Sequence, residues 1–141
     1  MYEVLLIVHF IGLAMGVGTS FAGMALGRAA RDMEPAERGK FMQRASAISI
    51  NGSIGLTLLL VSGLGMWLTR GISQVLAWGG PAFHAKLTLV VILIGGFGYM
   101  QVLQKKARQG SAEHAAKIPK LGAAMLLLGL GIIVAAVLAF K

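Results

Sequence analysis

The chain contains no cysteine, and this absence removes several classes of site at once. Without thiols there is no disulfide, no cysteine-ligated iron–sulfur cluster and no covalently attached c-type haem. Four motifs of common enzymes are missing as well: a nucleophile elbow, a P-loop, a metalloprotease helix and a site built from paired carboxylates. Any chemistry that the chain performs must therefore use other side chains, and its 3 histidines are the first candidates.

Charge is also scarce. Only 13% of the residues are charged, whereas a soluble domain carries about 25%. Four runs contain no Asp, Glu, Lys or Arg, namely residues 4–27, 45–69, 87–104 and 121–140. Because about 18 apolar residues suffice for a helix to cross the hydrocarbon core of a bilayer, each run is long enough to span it. The sequence predicts an all-α integral membrane protein, a single four-transmembrane-helix bundle that occupies residues 1–141.

The predicted spans cover about residues 2–28, 45–70, 82–109 and 119–140. The first is expected to be a retained span, since it is too long for a signal peptide and has no basic n-region. Pro35 suits the first turn of a helix, so residues 37–44 are expected to extend the second helix beyond the membrane. Gly110 and Ser111 indicate a helix stop followed by an N-cap. We expect the fourth helix to begin at about Pro119.

The positive charge is concentrated in two connections. Ten of the 13 Lys and Arg residues lie there: Arg28, Arg31, Arg38, Lys40, Arg44, Lys105, Lys106, Arg108, Lys117 and Lys120. Short loops rich in Lys and Arg stay on the cytoplasmic side, which predicts an N-out/C-out topology. We expect a multi-pass protein of the bacterial inner (cytoplasmic) membrane. Its partner is then the lipid bilayer and not nucleic acid, despite a net charge of +8.

Small residues in the first span follow a helical spacing. They are Gly12, Gly16, Ser20, Gly23 and Gly27. Small residues let membrane helices approach closely, so this face is expected to meet the bundle. His9 lies three residues before Gly12 on the same face and should point inward. In the second span, Asn51 is expected to bond a neighbouring helix.

His9, His84 and Lys86 are the candidate functional residues, because ionisable groups inside a bilayer are expensive. Two imidazoles from facing helices are able to ligate the iron of a b-type haem, which makes His9 and His84 candidate metal ligands. The alternatives are an interhelical hydrogen bond for His9 and a water-facing position for His84. Lys86 either extends its ammonium to the headgroups or faces inward to hold an acidic group or transfer protons. His84 and Lys86 lie about 200° apart around the helix and do not share a face.

Two further features favour simpler interpretations. His114 lies in a basic connection and is expected to be solvated. The 8 methionines are scattered, so packing explains them better than a copper site, although thioethers suit Cu(I).

The entrance to the third span carries a motif shared with a known family. It reads Phe83-His84-Ala85-Lys86-Leu87, with Trp78 before it and Gly98-Tyr99 and the basic Lys105-Lys106-Ala107-Arg108 after it. This order resembles the third helix of the HemJ-type membrane protoporphyrinogen IX oxidases. His9 is similar to the histidine of that family's first helix. The chain length of 141 residues and the four spans also agree with the family.

The resemblance implies a haem b cofactor and a membrane redox function. It implies that His9 and Lys86 are the catalytic positions, with His84 as a further cofactor-binding residue. Electrons from a porphyrinogen substrate would pass through the haem to a quinone or another carrier. Related four-helix, cytochrome-b-like bacterial membrane families share a similar entrance to the third helix. Two other functions stay open: an accessory subunit of a larger membrane complex or a homo-oligomer, and a copper-resistance-type membrane protein.

Overall fold

The computed structural model describes residues 1–71, 73–74, 77 and 80–139, and no strand occurs among them. The helices are α1 (Tyr2–Ala29), α2 (Pro35–Ala45), a 3₁₀ turn (Ser46–Ile48), α3 (Ser49–Arg70), α4 (Gly80–Arg108) and α5 (Ala112–Ala139). Four stretches are long and apolar enough to cross a membrane, with α2 and α3 joined into one of 36 residues. The prediction of an all-α, multi-pass membrane bundle is confirmed.

Two predicted helix starts involve a proline, and the structure confirms one of them. Pro35 occupies the first turn of α2, and α2 extends the second span as expected. The prediction that the fourth helix begins at Pro119 is wrong, because α5 begins at Ala112 and Pro119 lies inside it. Ser111 provides the N-cap, with its carbonyl accepting from the Ala115 N–H at 3.1 Å and its hydroxyl bonded to the His114 ring. The first helical hydrogen bond, from the Ala115 N–H to the Ser111 carbonyl, thus forms ahead of the proline.

The seam between α1 and α3 follows a regular antiparallel register. Its successive contacts pair Leu5 with Gly65, His9 with Ser62 and Gly63, Gly12 with Gly55, and Thr19 with Gly52. On α1 these positions follow one another at intervals of four, three and seven residues, which keeps them on one face of the helix. Such a spacing is typical of two helices that pack side by side over their whole length.

Gly12 and Gly55 bring the two backbones into direct contact. A Cβ at Gly12 would lie 2.8 Å from the Gly55 carbonyl oxygen, and a Cβ at Gly55 would lie 2.8 Å from both the Gly12 carbonyl oxygen and the Gly16 nitrogen. Only glycine fits such a crossing, which agrees with the predicted role of Gly12 and Gly16. Only part of the predicted small-residue face packs against another helix. Gly23 and Gly27 border a cleft, and a Cβ at either would meet no atom within 4 Å.

The bundle consists of two helix pairs. α1 packs on α3, α4 packs on α5, and the pairs meet along α1 and α5. α3 and α4 face each other mainly across long side chains. Trp67 contacts Phe83 edge to face with 6.5 Å between ring centroids. Near the other end, Gln101 donates to Ser53 over 3.5 Å and Arg108 donates to Ser46 over 2.9 Å. A long cleft therefore remains between the pairs.

Hydroxyl side chains in α3 satisfy themselves within their own helix. Ser49, Ser53 and Thr57 each donate to a carbonyl three or four residues earlier. This bonding makes polar residues tolerable in a span, because no donor is left facing lipid. The prediction that Asn51 bonds a neighbouring helix is wrong. Its side chain is exposed and has no hydrogen bond to any part of the chain that the structure describes.

The Gly12–Gly55 crossing predicts opposite effects for one substitution at two glycines. Gly55→Ala places a methyl group against backbone that cannot rotate away, so it should destabilise the fold by about 1–3 kcal/mol. Gly18→Ala is the matched control, because its Cβ meets nothing within 4 Å. That change should be neutral or stabilise by up to about 1 kcal/mol through helix propensity. Thermal unfolding of the purified protein in detergent measures both, and equal effects would contradict the crossing.

Candidate functional site

The cleft between the helix pairs is the candidate functional site. Its volume is about 2390 Å³. Small-molecule pockets usually measure roughly 300–1,000 Å³, so the cleft has room for more than one such ligand. Leu, Val, Ile, Phe, Met, Ala and Gly side chains make up most of its wall. Polar residues gather at its two ends, which we call the Lys86 end and the Arg38 end.

His9, Trp67, Phe83 and Lys86 line the Lys86 end. They come from three helices, α1, α3 and α4. The α1–α3 register places His9 opposite Ser62. The Trp67–Phe83 contact brings α4 alongside, and Lys86 lies one turn beyond Phe83 on the same face of that helix. The structure therefore brings together two of the three predicted site residues, His9 and Lys86.

A hydrogen bond to Ser62 fixes the His9 ring. His9 Nδ1 lies 2.9 Å from Ser62 Oγ, and Ser62 is completely buried. The single hydroxyl proton of Ser62 is donated to the Leu58 carbonyl. Ser62 Oγ then has lone pairs to accept from His9, which favours the tautomer with the imidazole proton on Nδ1. In the neutral ring Nε2 carries a lone pair and is able to bind a metal or accept a proton.

The His9 ring packs directly against Gly63. A Cβ at position 63 would lie 3.4 Å from His9 Cε1, at the near limit of ordinary van der Waals contact. The interhelical hydrogen bond, one of the two roles open to His9, is thus present. It does not remove the other role, because the ring is half-buried and still lines the cleft.

Lys86 is half-buried in the wall of the cleft, which His9 also lines. An ammonium group that only reached for the headgroups would point away from the bundle. Its place in the cleft favours the inward alternative instead. There it supplies positive charge beside the His9 ring in a largely apolar space.

Trp67 is a residue of this end that the sequence did not single out. Its indole Nε1 is buried and has no hydrogen-bond partner among the described residues. Most buried polar groups in proteins are hydrogen-bonded, so a donor without a partner in a residue that lines a cleft is a candidate contact for a ligand acceptor. A tryptophan near a helix end is usually interpreted as an interfacial anchor, and only the fold shows that this one faces the cleft.

His84 is not part of the cleft. It is exposed on the far side of α4, and its ring packs edge to face on Phe83 with 6.3 Å between centroids. The 200° separation from Lys86 agrees with this placement, because the two side chains leave α4 in different directions. The structure does not bring His84 together with His9. Trp78, which belongs to the family motif, lies outside the described residues.

The remaining candidates have structural roles in the described part of the chain. His114 bonds to Ser111 at the start of α5 and is half-buried, not fully solvated. Met125 lies over Gly96 and Met100 over Gly122, so both methionines fill the α4–α5 interface. Among the described residues no group of three or more His, Cys, Asp or Glu side chains is arranged to hold a metal ion.

The chain was compared with protein families, curated proteins and solved structures. No family model, curated protein or solved structure matches this chain. The similarity to the HemJ-type oxidases therefore stays a prediction from the sequence motif.

The Ser62 contact predicts an unusual histidine tautomer. At alkaline pH, where imidazole is neutral, His9 should carry its proton on Nδ1, whereas free imidazole side chains favour Nε2. Nitrogen NMR of protein labelled at histidine, with His9→Ala used to assign the signal, measures this directly. Ser62→Ala should shift the His9 signal and leave those of His84 and His114 unchanged. An Nε2-protonated His9 in the unmodified protein would contradict the assignment.

Proposed function

We propose that the protein binds a b-type haem at the Lys86 end of the cleft and works as a membrane redox protein, as the resemblance to the HemJ-type oxidases implies. The observation that carries the proposal is His9, an imidazole inside a span, held by Ser62 and facing a large apolar cleft. Histidine is rare in membrane spans, and intramembrane ionisable residues usually mark functional sites.

The donor set at this end is suited to such a cofactor. Histidine ligands of a metal almost always donate their other ring N–H to a neighbouring acceptor, which orients the ring. The hydrogen bond from Nδ1 to Ser62 is of that kind and leaves Nε2 as the ligand atom. Of the two predicted metal ligands we retain His9, because His84 does not line the cleft.

Lys86 and Trp67 are the residues that would bind the carboxylates of a porphyrin. Lys86 provides positive charge in the cleft wall, and the indole N–H of Trp67 is a donor without a partner in the described residues. A charge-assisted hydrogen bond is about twice as strong as a neutral one. The same pair would orient a porphyrinogen substrate, which carries the same acidic groups.

Haem supplies one-electron redox chemistry when it is bound. The contribution of the chain is to orient the ligand ring, to pair the acidic groups and to exclude water from an apolar cleft. Lys86, beside His9, is also placed to give or take a proton when a substrate is oxidised. The electron acceptor we propose is a quinone, which is soluble in the bilayer that surrounds the bundle.

The proposal predicts a haem spectrum that depends on one histidine of the three. Protein produced with ample haem should show a b-type α-band in its reduced-minus-oxidised spectrum. His9→Ala should abolish or strongly shift the band. His84→Ala is the matched control and should leave it unchanged, because this ring lies outside the cleft. No α-band in the unmodified protein would overturn the proposal, and a band lost in His84→Ala instead would overturn the ligand assignment.

The carboxylate contacts predict weaker haem binding in two further variants. Lys86→Gln removes the charge, and Trp67→Phe removes only the N–H while keeping the aromatic contact with Phe83. Because a hydrogen bond to a charged group contributes about 1.5–3 kcal/mol, each variant should lose haem roughly tenfold faster or more. Transfer of haem to an excess of a soluble apoprotein measures the rate, and Lys86→Arg should restore part of it. Unchanged rates would show that neither residue holds the cofactor.

A further inference from the structure

The Arg38 end of the cleft carries a second concentration of charge, remote from His9. The cations that line it come from α1, the connection to α2, α2 itself and the end of α4: Arg28, Arg31, Arg38, Lys40 and Arg108. None of the 5 acidic residues of the chain belongs to the cleft lining. In the described residues the one salt bridge joins Lys117 to Glu113, and both lie outside the cleft. These cations therefore have no carboxylate partner in the described structure.

The apolar part of the cleft begins directly beside these cations. Gly23, Leu26 and Met42 line it near the charges, and Leu56, Leu93 and Phe97 continue it toward the middle of the bundle. A ligand that fits this end must therefore combine an anionic group with a long apolar part. Free phosphate or a nucleotide would satisfy the cations and leave the apolar wall uncovered.

The stretch between two contacts of α3 and α4 is the side entrance that we infer for such a ligand. α3 and α4 are bridged at Ser53–Gln101 and again at Trp67–Phe83. At 1.5 Å per residue, the stretch of α3 between Ser53 and Trp67 is about 21 Å long. Leu56, Leu60 and Leu64 border this stretch, opposite Val90 and Leu93. An apolar opening of that length in a membrane helix pair faces acyl chains.

We propose that the Arg38 end is a binding site for an anionic diacyl phospholipid. The phosphate lies among Arg31, Arg38 and Lys40, and the acyl chains occupy the apolar cleft between the helix pairs. Basic pockets between membrane helices are known to bind anionic headgroups, and each nearby Lys or Arg adds attraction. A lipid is the ligand that we infer, because its phosphate complements the cations and its acyl chains match the adjoining apolar wall. The cations that form the site differ from the residues proposed to hold haem at the Lys86 end, so the site does not rest on the haem proposal.

Native mass spectrometry of the detergent-purified protein tests the site by counting retained lipids. The protein is titrated with phosphatidylglycerol, or with phosphatidylcholine of the same chains. Under the same conditions, we expect the protein to retain one molecule of phosphatidylglycerol and to lose phosphatidylcholine. Changing Arg31, Arg38 and Lys40 together to Gln should weaken its retention at least tenfold. The matched control changes Lys105, Lys106 and Lys120 to Gln, which removes equal charge from residues outside the cleft lining and should have little effect.

A second variant tests the apolar part without altering charge. Gly23→Leu and Gly27→Leu together place side chains in empty space within the cleft. They should reduce retention of the phospholipid, while glycerol phosphate, which has no acyl chains, should not be retained by any form. The site would be overturned if the two triple variants lost the lipid equally, or if phosphatidylglycerol and phosphatidylcholine were retained equally. It would also be overturned if the protein formed a dimer that retained no lipid, because a second copy of the chain would then cover the cleft. Retention unaffected by the leucines would overturn the placement of the chains.

Discussion

The direct contact of two backbones at Gly12 and Gly55 is the constraint on which the candidate site depends. Lipid tails are as apolar as leucine, so membrane helices gain little from hydrophobicity when they associate and rely on close packing. The crossing sets the antiparallel register of α1 and α3. That register brings His9 opposite Ser62 and leaves Gly63 beside the imidazole. A shift of one residue would turn His9 by about 100° and separate it from Ser62.

The cleft follows from how little α3 and α4 touch. Each packs closely on its own partner, and between them stand the aromatic contact at Trp67 and the polar bridges from Gln101 and Arg108. An empty apolar space of this size would be unfavourable in a soluble core, where close packing is the rule. In a bilayer, acyl chains are the apolar molecules at hand to fill it. Filling this cleft is the role that we propose for the haem and the phospholipid.

Much of the fold was predictable because it depends on local properties of the chain. Charge-free runs fixed the four spans, and helical geometry placed His9 on the face of Gly12. The start of α5 was misjudged, because the prediction placed it at about Pro119, whereas the helix begins directly after Ser111 and runs through the proline. The geometry showed that His84 and Lys86 point apart, but not which of them faces the cleft. That choice depends on how α4 packs against α3 and α5.

The partners of His9 could not be found in the same way. Ser62 is one of several hydroxyl residues in its span, and its role depends on a contact 53 positions away in the sequence. Trp67 was not singled out by the sequence, and its place in the site follows from its contact with Phe83. Both assignments require the register between helices, which depends on atomic contacts and not on hydropathy.

Both ends of the cleft carry positive charge. Among the described residues, seven cationic side chains and no acidic one line the cleft: Arg28, Arg31, Arg38, Lys40, Arg70, Lys86 and Arg108. Cations that face a low-dielectric space repel one another more strongly than they would in water. The acidic groups of the proposed haem and phospholipid would relieve that repulsion. His9 and Arg28 stand 19 positions apart on α1, so about 28 Å separates the two ends, and a porphyrin at one leaves room for a phospholipid headgroup at the other.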